Sequence, residues 1–292
     1  MTEQIVFYGK GGVGKSTLIS HISAALVEAS FKVLQIGCDP KADSCTTLNG
    51  GFSIPTLSDQ LLHNRVISTE TAVTRGFKGV NCIELGDAVN TGASARDSIE
   101  SAFQAISRST IIDDIRPDYV LYDISGESSS VSLLAAFRQF PVKRVFIVTT
   151  ADFISLSAAN GIFEVLEQFA DCNIPVPLGG LIPNSITSSF EESFIADFAQ
   201  NTGTHVMGRI PRSLMVRQCE LYGKTVIEAS PLSNQAYFYR RLANQIVDVT
   251  STLAVKNPPR PMTREGLRLW AHEWADRLFA LENGLVTDGA AI

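Results

Sequence analysis

The sequence lacks the cysteine and histidine patterns that indicate a disulfide framework or a zinc site. Its five cysteines are odd in number, lie far apart in 292 residues and include no Cys-x-x-Cys pair. Its four histidines show no metal-ligand spacing either. We therefore expect most of the cysteines to be buried as small apolar residues.

Two further absences concern membranes and nucleic acids. No apolar run approaches the roughly 18 residues of a membrane helix, and a predicted strand begins at once, so neither a span nor a signal peptide is expected. The 24 basic residues are outnumbered by 30 acidic ones, giving a net charge of −6, whereas a nucleic-acid surface usually needs a basic face. A cytoplasmic protein that binds neither membrane nor nucleic acid is expected.

The length and a hydrophobic content of 45% suit one large α/β domain. We place this domain at residues 1–256 and a tail at 257–292, where the proline-rich stretch Asn257–Pro261 predicts a stiff linker. An amphipathic helix is predicted to follow over Met262–Leu281. Because the helix mixes acidic and basic residues, we expect it to pack on the body, a second subunit or a partner rather than on a membrane. Its apolar stripe consists of Leu267, Trp270, Trp274 and Leu278.

A glycine-rich stretch near the start of the chain is the strongest functional signal. The apolar run Ile5–Phe7 predicts a strand before it, and the periodicity from Leu18 predicts a helix after it. In this setting the pattern Gly-x-x-x-x-Gly-Lys-Ser matches the phosphate-binding loop, whose backbone N–H groups surround phosphate oxygens. A glycine-rich turn without a ligand is the alternative. The residues predicted to bind nucleotide here are Gly9, Gly11, Gly12, Val13, Gly14, Lys15, Ser16 and Thr17.

Three side chains of this loop have predicted roles. Lys15 is expected to pair with the β- and γ-phosphates, Ser16 to ligate Mg²⁺, and Thr17 to support the α-phosphate.

A second motif, Gly-Cys-Asp-Pro-Lys-Ala-Asp-Ser, lies at the end of the predicted strand Lys32–Gly37. This is the strand end at which parallel α/β sheets bind ligands. Turn chemistry alone is the alternative reading of this second motif.

The two motifs together resemble those of the nitrogenase iron protein and its relatives in chlorophyll and methanogen-cofactor biosynthesis. The resemblance runs from Ile5 to about Asn257. It implies a P-loop NTPase of α/β class, with a predominantly parallel sheet flanked by helices on both faces, that works as a homodimer with ATP and Mg²⁺.

The resemblance also assigns roles to four charged residues. Lys10 is the lysine of a deviant Walker A loop that reaches the neighbouring subunit's nucleotide, although a solvated loop lysine would look the same in sequence. Asp39 is implied to position or activate the attacking water. Lys41 would sense the phosphates, and Asp43 would lie near Mg²⁺.

A second switch is implied after the predicted strand Tyr119–Asp123. Asp123 and Gly126 form the Asp-x-x-Gly motif, in which the glycine N–H senses the γ-phosphate. Glu127 replaces an aspartate of the family, so the carboxylate that would orient water lies on a side chain one methylene longer. Slow hydrolysis is therefore expected. An exposed loop carboxylate is the alternative for Glu127.

The adenine pocket is implied by matches in the later part of the chain. Asn184 matches the asparagine that hydrogen-bonds adenine, and Pro211 with Arg212 belongs to the loop beside the base. Gln235 and Tyr239 are placed so that they could close the pocket. A turn asparagine and ordinary helix packing are the respective alternatives.

The chain departs from the family at the iron–sulfur cluster. Each subunit of the family supplies two cysteines to a [4Fe–4S] cluster shared across the dimer axis, and the matching residues here are Ala93 and Ser130. Four thiolates are needed for such a cluster, so none is expected.

We therefore expect a MgATP switch that acts on a protein partner in metallocofactor assembly, insertion or regulation, and not a reductase. Three alternatives stay open: a non-catalytic ATP-binding regulator, a reductase with an unrecognised cluster, and a partitioning-type ATPase on DNA or membrane. The acidic charge disfavours the last of these.

Overall fold

The computed structural model describes residues 2–63, 66–86, 95–125, 137, 139–171, 177–252 and 259–285. The strands in these ranges are β1 (Glu3–Gly9), β2 (Val33–Gly37), β3 (Thr74–Arg75), β4 (Asn81–Glu84), β5 (Tyr119–Ser125), β6 (Val142–Thr149), β7 (Leu178–Ile186) and β8 (Ile210–Pro211). The α-helices are α1 (Lys15–Glu28), α2 (Leu57–Leu62), α3 (Thr69–Ala72), α4 (Ala95–Arg108), α5 (Ile111–Ile115), α6 (Phe153–Asp171), α7 (Ser189–Asn201), α8 (Leu214–Leu221), α9 (Val226–Ala229), α10 (Asn234–Ser251) and α11 (Arg264–Glu282).

The strands form one sheet in the order β3-β4-β2-β5-β1-β6-β7-β8. All neighbouring pairs are parallel except β3 with β4, which is antiparallel. Phe7 of β1 is in register with Asp123 of β5 on one side and Phe146 of β6 on the other. The predicted α/β fold with a predominantly parallel sheet is confirmed.

Side chains alternate between two cores because successive strand residues point to opposite faces. On β1, Ile5 and Phe7 join the core that α1 and α10 cover, whereas Val6 and Tyr8 join the core that α4, α6 and α7 cover. Both faces of the sheet are therefore buried. This explains why the central strands consist of continuous apolar runs in the sequence.

The C-terminal helix α11 packs on the body of the protein. Leu267, Trp270 and Trp274 are buried in the same core as α7, whereas Leu278 is 43% exposed. The indole N–H groups of both tryptophans donate to one carboxylate oxygen of Asp197 on α7, at 2.7 and 2.8 Å. The apolar stripe of α11 therefore packs within its own chain, except for Leu278.

The four cysteines that the structure describes are buried, as expected: Cys38, Cys45, Cys82 and Cys219. Cys172 lies outside the described residues. None of the helices in the described ranges has the length and apolar character needed to cross a bilayer.

Candidate nucleotide-binding site

A cavity of about 290 Å³ opens where β1 and β2 end. This is the edge of a parallel sheet at which ligands bind, because the connecting loops diverge there. The lining residues belong to the phosphate loop, to the segment after β2 and to α8: Lys10, Gly11, Gly12, Gly14, Lys15, Ser16, Thr17, Asp39, Lys41, Asp43, Ser44, Thr46, Thr47 and Glu220. The lining holds three lysines, which suit an anionic ligand, and three carboxylates, which suit a cation bound beside it.

Glycines give the loop its shape. Gly12 and Gly14 have φ values of 87° and 80°, a left-handed conformation that other residues rarely adopt. A side chain at Gly14 would also meet the amide nitrogen of Asn184 at 2.6 Å. Helix α1 begins at Lys15 directly after this turn, so its free N–H groups face the cavity.

Lys15 is 6% exposed and its ammonium group pairs with Oδ1 of Asp123, which is fully buried at the end of the central strand β5. The other carboxylate oxygen of Asp123 accepts a hydrogen bond from Ser44 Oγ at 2.5 Å. The phosphate-loop lysine is thus linked to the segment after β2 through one buried carboxylate.

The segment after β2 places its oxygen ligands toward the same cavity. Asp39 Oδ1 accepts a hydrogen bond from the Lys41 N–H at 2.9 Å, which folds the segment into a turn. Asp39, Asp43 and Ser16 line the cavity together. Two carboxylates and a hydroxyl suit Mg²⁺, which typically takes one or two carboxylates and completes its octahedron with water and substrate phosphates. The donors present therefore fit this ion.

A second cavity of about 260 Å³ adjoins the first and shares Gly12, Gly14, Thr17 and Glu220 with it. Its remaining lining residues come from the end of β7, from β8 and from the helices after it: Asn184, Ser185, Ile210, Pro211, Arg212, Ser213, Val216, Arg217 and Tyr239. The two cavities form one groove that could hold a phosphate chain at one end and a base at the other.

Asn184 supports the phosphate loop from this second cavity. Its side-chain nitrogen donates to the carbonyl oxygen of Val13 at 2.8 Å. Val13 itself is buried and lines neither cavity, so its contribution is this backbone contact. Gly9 also lies behind the cavity, where a side chain would meet the Val148 carbonyl oxygen at 2.6 Å.

Gln235 and Tyr239 both lie on α10, but they have different surroundings. Tyr239 lines the second cavity and stacks on His21 with ring centroids 4.1 Å apart. Gln235 lines neither cavity and instead donates to the carbonyl oxygen of Pro211 at 3.3 Å. The structure therefore brings the tyrosine to the groove and places the glutamine behind its wall.

Glu220 was not predicted from the sequence, although it lines both cavities. Its carboxylate accepts a hydrogen bond from Thr17 Oγ1 at 3.2 Å, across 203 residues of sequence. No local motif around Glu220 indicates this contact, because it depends on the packing of α8 against the phosphate loop. Of the other predicted site residues, Gly126 and Glu127 lie outside the described residues.

Comparison with known proteins identifies the family. Residues 3–274 match the sequence profile of the family described as "4Fe-4S iron sulfur cluster binding proteins, NifH/frxC family". The chain belongs to the NifH/frxC family. It is 40% identical over 290 residues to "Nitrogenase iron protein 2" of Paenibacillus durus, covering 99% of this chain and 97% of the relative. It is 35% identical over 276 residues to the nitrogenase iron protein of Methanospirillum hungatei, covering 93% and 96% respectively.

Solved structures show the same fold at lower identity. The cell division ATPase MinD of Pyrococcus furiosus matches with a TM-score of 0.66 and 19% identity, covering 85% of this chain and 100% of that one. Cobyrinic acid a,c-diamide synthase of Mycobacterium smegmatis with bound ATP analog and magnesium matches with a TM-score of 0.64 and 18% identity, covering 90% and 100%. These similarities support the P-loop ATPase fold of this NifH/frxC member.

The family description names a 4Fe-4S cluster. Ala93 and Ser130, which occupy the expected cluster positions, lie outside the described residues. Within the described ranges, no three histidine, cysteine, aspartate or glutamate side chains are grouped to hold a metal ion. The four described cysteines are each buried.

Acidification is expected to destabilise this NifH/frxC member through His21. Its Nδ1 bonds the Thr17 carbonyl oxygen at 2.6 Å and its Nε2 accepts the Val226 N–H at 2.9 Å, so only the neutral ring satisfies both contacts. Burial lowers the pKa of His21 from 6.5 to about 4. The unfolded chain therefore takes up the proton first as the pH falls. Between pH 7 and 5 this should cost about 2 kcal/mol of unfolding free energy.

Urea denaturation at the two pH values measures this loss. The His21→Gln variant should show a smaller loss than the parent, whereas replacing the exposed His63 by glutamine should leave the loss unchanged. An unchanged pH dependence in His21→Gln would show that other groups cause it.

Proposed function

We propose that this chain is a MgATP-dependent homodimeric switch that hydrolyses ATP to act on a protein partner and carries no iron–sulfur cluster. The observation that supports this most strongly is the continuous groove formed by the two cavities, with the phosphate loop at their junction. The partner would belong to metallocofactor assembly, insertion or regulation, and the protein would work in the cytoplasm.

The groove suggests how ATP would lie. Phosphates would occupy the first cavity, among the lysines and the N-terminus of α1. Adenine would occupy the second cavity, near Asn184 and Tyr239. Because the Asn184 side-chain nitrogen already donates to Val13, its amide oxygen is the group that would accept a hydrogen bond from the adenine amino group.

The chemistry would be in-line attack of water on the γ-phosphorus. Lys15 would leave Asp123 to pair with the phosphates, and Asp39 would orient the water, with Glu127 as a further candidate. Mg²⁺, when bound by Ser16 and Asp43, would neutralise charge on the phosphate oxygens. Lys10 would add positive charge to the nucleotide of the neighbouring subunit.

Two exposed features near the carboxyl ends of the central strands support a dimer. Lys10 is exposed at the mouth of the phosphate cavity and is therefore free to extend away from its own subunit. Phe153 and Ile154, at the start of α6 directly after β6, are 44% and 63% exposed. Exposed apolar side chains of this size commonly belong to contact surfaces.

Replacing Asp39 by asparagine is expected to trap the partner complex. The amide should still contact water but polarise it less, so ATP should persist and the docked state should accumulate. The measurement is affinity capture from the native cell extract with MgATP, followed by mass spectrometry. The variant should retain a nitrogenase-like or cofactor-assembly protein that is lost with MgADP.

The matched control is Asp113→Asn, which removes an equal charge from an exposed position on α5, outside both cavities. It should behave like the parent. No enrichment by Asp39→Asn over the ADP sample would argue against a protein partner. Tight ATP binding with turnover equal to a protein-free sample would favour the non-catalytic regulator.

A second candidate function is electron transfer, as in a reductase. The names of the relatives favour it, since both are nitrogenase iron proteins and the family is described by its 4Fe-4S cluster. It would require ligands other than the expected cysteines, and iron analysis of protein purified without oxygen distinguishes it from the cluster-free switch.

A further inference from the structure

A glutamine is buried beneath the phosphate cavity without lining it. Gln35 lies on β2, two residues before the strand ends, and its side chain is fully buried. A buried amide lowers stability unless its donors and acceptors find partners. Its hydrogen bonds therefore indicate what the residue does.

Those hydrogen bonds join α1 to the segment after β2. Gln35 Oε1 accepts from Ser23 Oγ at 2.7 Å, and Nε2 donates to the carbonyl oxygen and hydroxyl of Ser44 at 3.0 and 3.1 Å. A longer contact of 3.3 Å links Nε2 with Ser20 Oγ, which itself donates to the Ser44 carbonyl oxygen at 2.8 Å. All four side chains are at most 2% exposed. Water cannot readily replace these contacts.

Ser44 extends the connection to the groups that would hold phosphate and metal. Its hydroxyl donates to Asp123, whose other oxygen pairs with Lys15. Its chain neighbour Asp43 lines the phosphate cavity and is a proposed Mg²⁺ ligand. The position of the Ser44 backbone therefore limits where the Asp43 carboxylate can lie.

We propose that Gln35 is a positioning residue that fixes Asp43 through Ser44 and thereby couples Mg²⁺ binding to ATP binding. This rests on the proposed function, since it assumes that the groove holds MgATP. Gln35 touches neither ligand. Partners that orient a metal ligand in this way commonly contribute about tenfold to metal affinity.

The test compares two variants with a matched control. Gln35→Leu removes the amide and leaves the Ser23 hydroxyl without its acceptor, so it could fold poorly, whereas Ser20 keeps its hydrogen bond to the Ser44 carbonyl oxygen. The double variant Ser23→Ala/Gln35→Leu removes that hydroxyl as well and should fold better, because joint replacement of hydrogen-bonding partners by apolar groups is well tolerated. It leaves the hydrogen bond from Ser20 to Ser44 in place. The control is Gln60→Leu on α2, which removes another buried glutamine. Its amide donates to the carbonyl oxygen of Thr71 on α3 at 2.7 Å.

Calorimetry measures ATP binding, first in EDTA and then during a Mg²⁺ titration. Thermal unfolding is recorded for every variant. Without Mg²⁺, the Gln35 variants should bind ATP as the parent does, since Lys15 and the loop remain. The Mg²⁺ concentration that half-saturates the ATP complex should rise about tenfold in these variants and stay parental in Gln60→Leu. A folded double variant with parental Mg²⁺ dependence would overturn the proposal.

Because binding is measured, this test is separate from that of hydrolysis. A parent protein that binds MgATP without turning it over would remove the hydrolytic part of the proposed function, and the Mg²⁺ shift would still decide the role of Gln35. A parent that binds no ATP would overturn both proposals.

Discussion

Replacing Lys15 by alanine is expected to reduce ATP hydrolysis about a thousandfold. Lys15 is the phosphate-loop lysine, and its ammonium group is held in a buried setting where charge is screened little by water. Alanine cannot stabilise the charge that develops on the phosphate oxygens. Phosphate release at saturating MgATP measures the effect. The control is Lys78→Ala, which changes a lysine that is 53% exposed and lines neither nucleotide cavity.

The loss of activity must be separated from loss of folding, because Lys15→Ala also leaves Asp123 as a buried carboxylate without its cation. The double variant Lys15→Ala/Asp123→Asn removes that charge. It should recover stability in urea denaturation while remaining inactive. Hydrolysis and ATP binding by Lys15→Ala at the parent level would contradict the proposed role of the loop.

Restoring both expected cluster ligands is predicted to give the protein an iron–sulfur cluster. The variant Ala93→Cys/Ser130→Cys would supply two thiolates per subunit and four per dimer. It should therefore hold about four irons per dimer after anaerobic reconstitution. Iron analysis and electron paramagnetic resonance of the reduced protein measure the result.

Each single variant is the control, because it supplies only half of the thiolates and should bind no cluster. A double variant without iron would show that these two positions are not where the family's cysteines belong. A parent protein that already holds the cluster would show that other residues bind it.

The local parts of the fold could be predicted because they depend on neighbouring residues. The strand, glycine turn and helix around Lys15 are determined by apolar runs and by glycines that accept positive φ. Strand limits were less accurate. For example, β5 continues to Ser125, two residues beyond the predicted strand Tyr119–Asp123, since pairing with β1 extends it.

The contacts that complete the site could not be predicted in the same way. Glu220 reaches Thr17 only because α8 packs beside the loop, and Lys15 meets Asp123 only because β5 lies next to β1. The stripe of α11 indicated a buried face, but nothing in it indicated Asp197 as the acceptor for two indoles. Such contacts depend on the order of the strands and the placement of the helices.

We propose that this NifH/frxC member hydrolyses ATP without an iron–sulfur cluster. The most direct measurement is phosphate release from MgATP by protein purified without oxygen, with iron counted on the same sample. We predict that the preparation contains no iron and turns over ATP faster than a protein-free sample. Lys15→Ala should remove this turnover. About four irons per dimer, or turnover no different from the protein-free sample, would contradict this proposal.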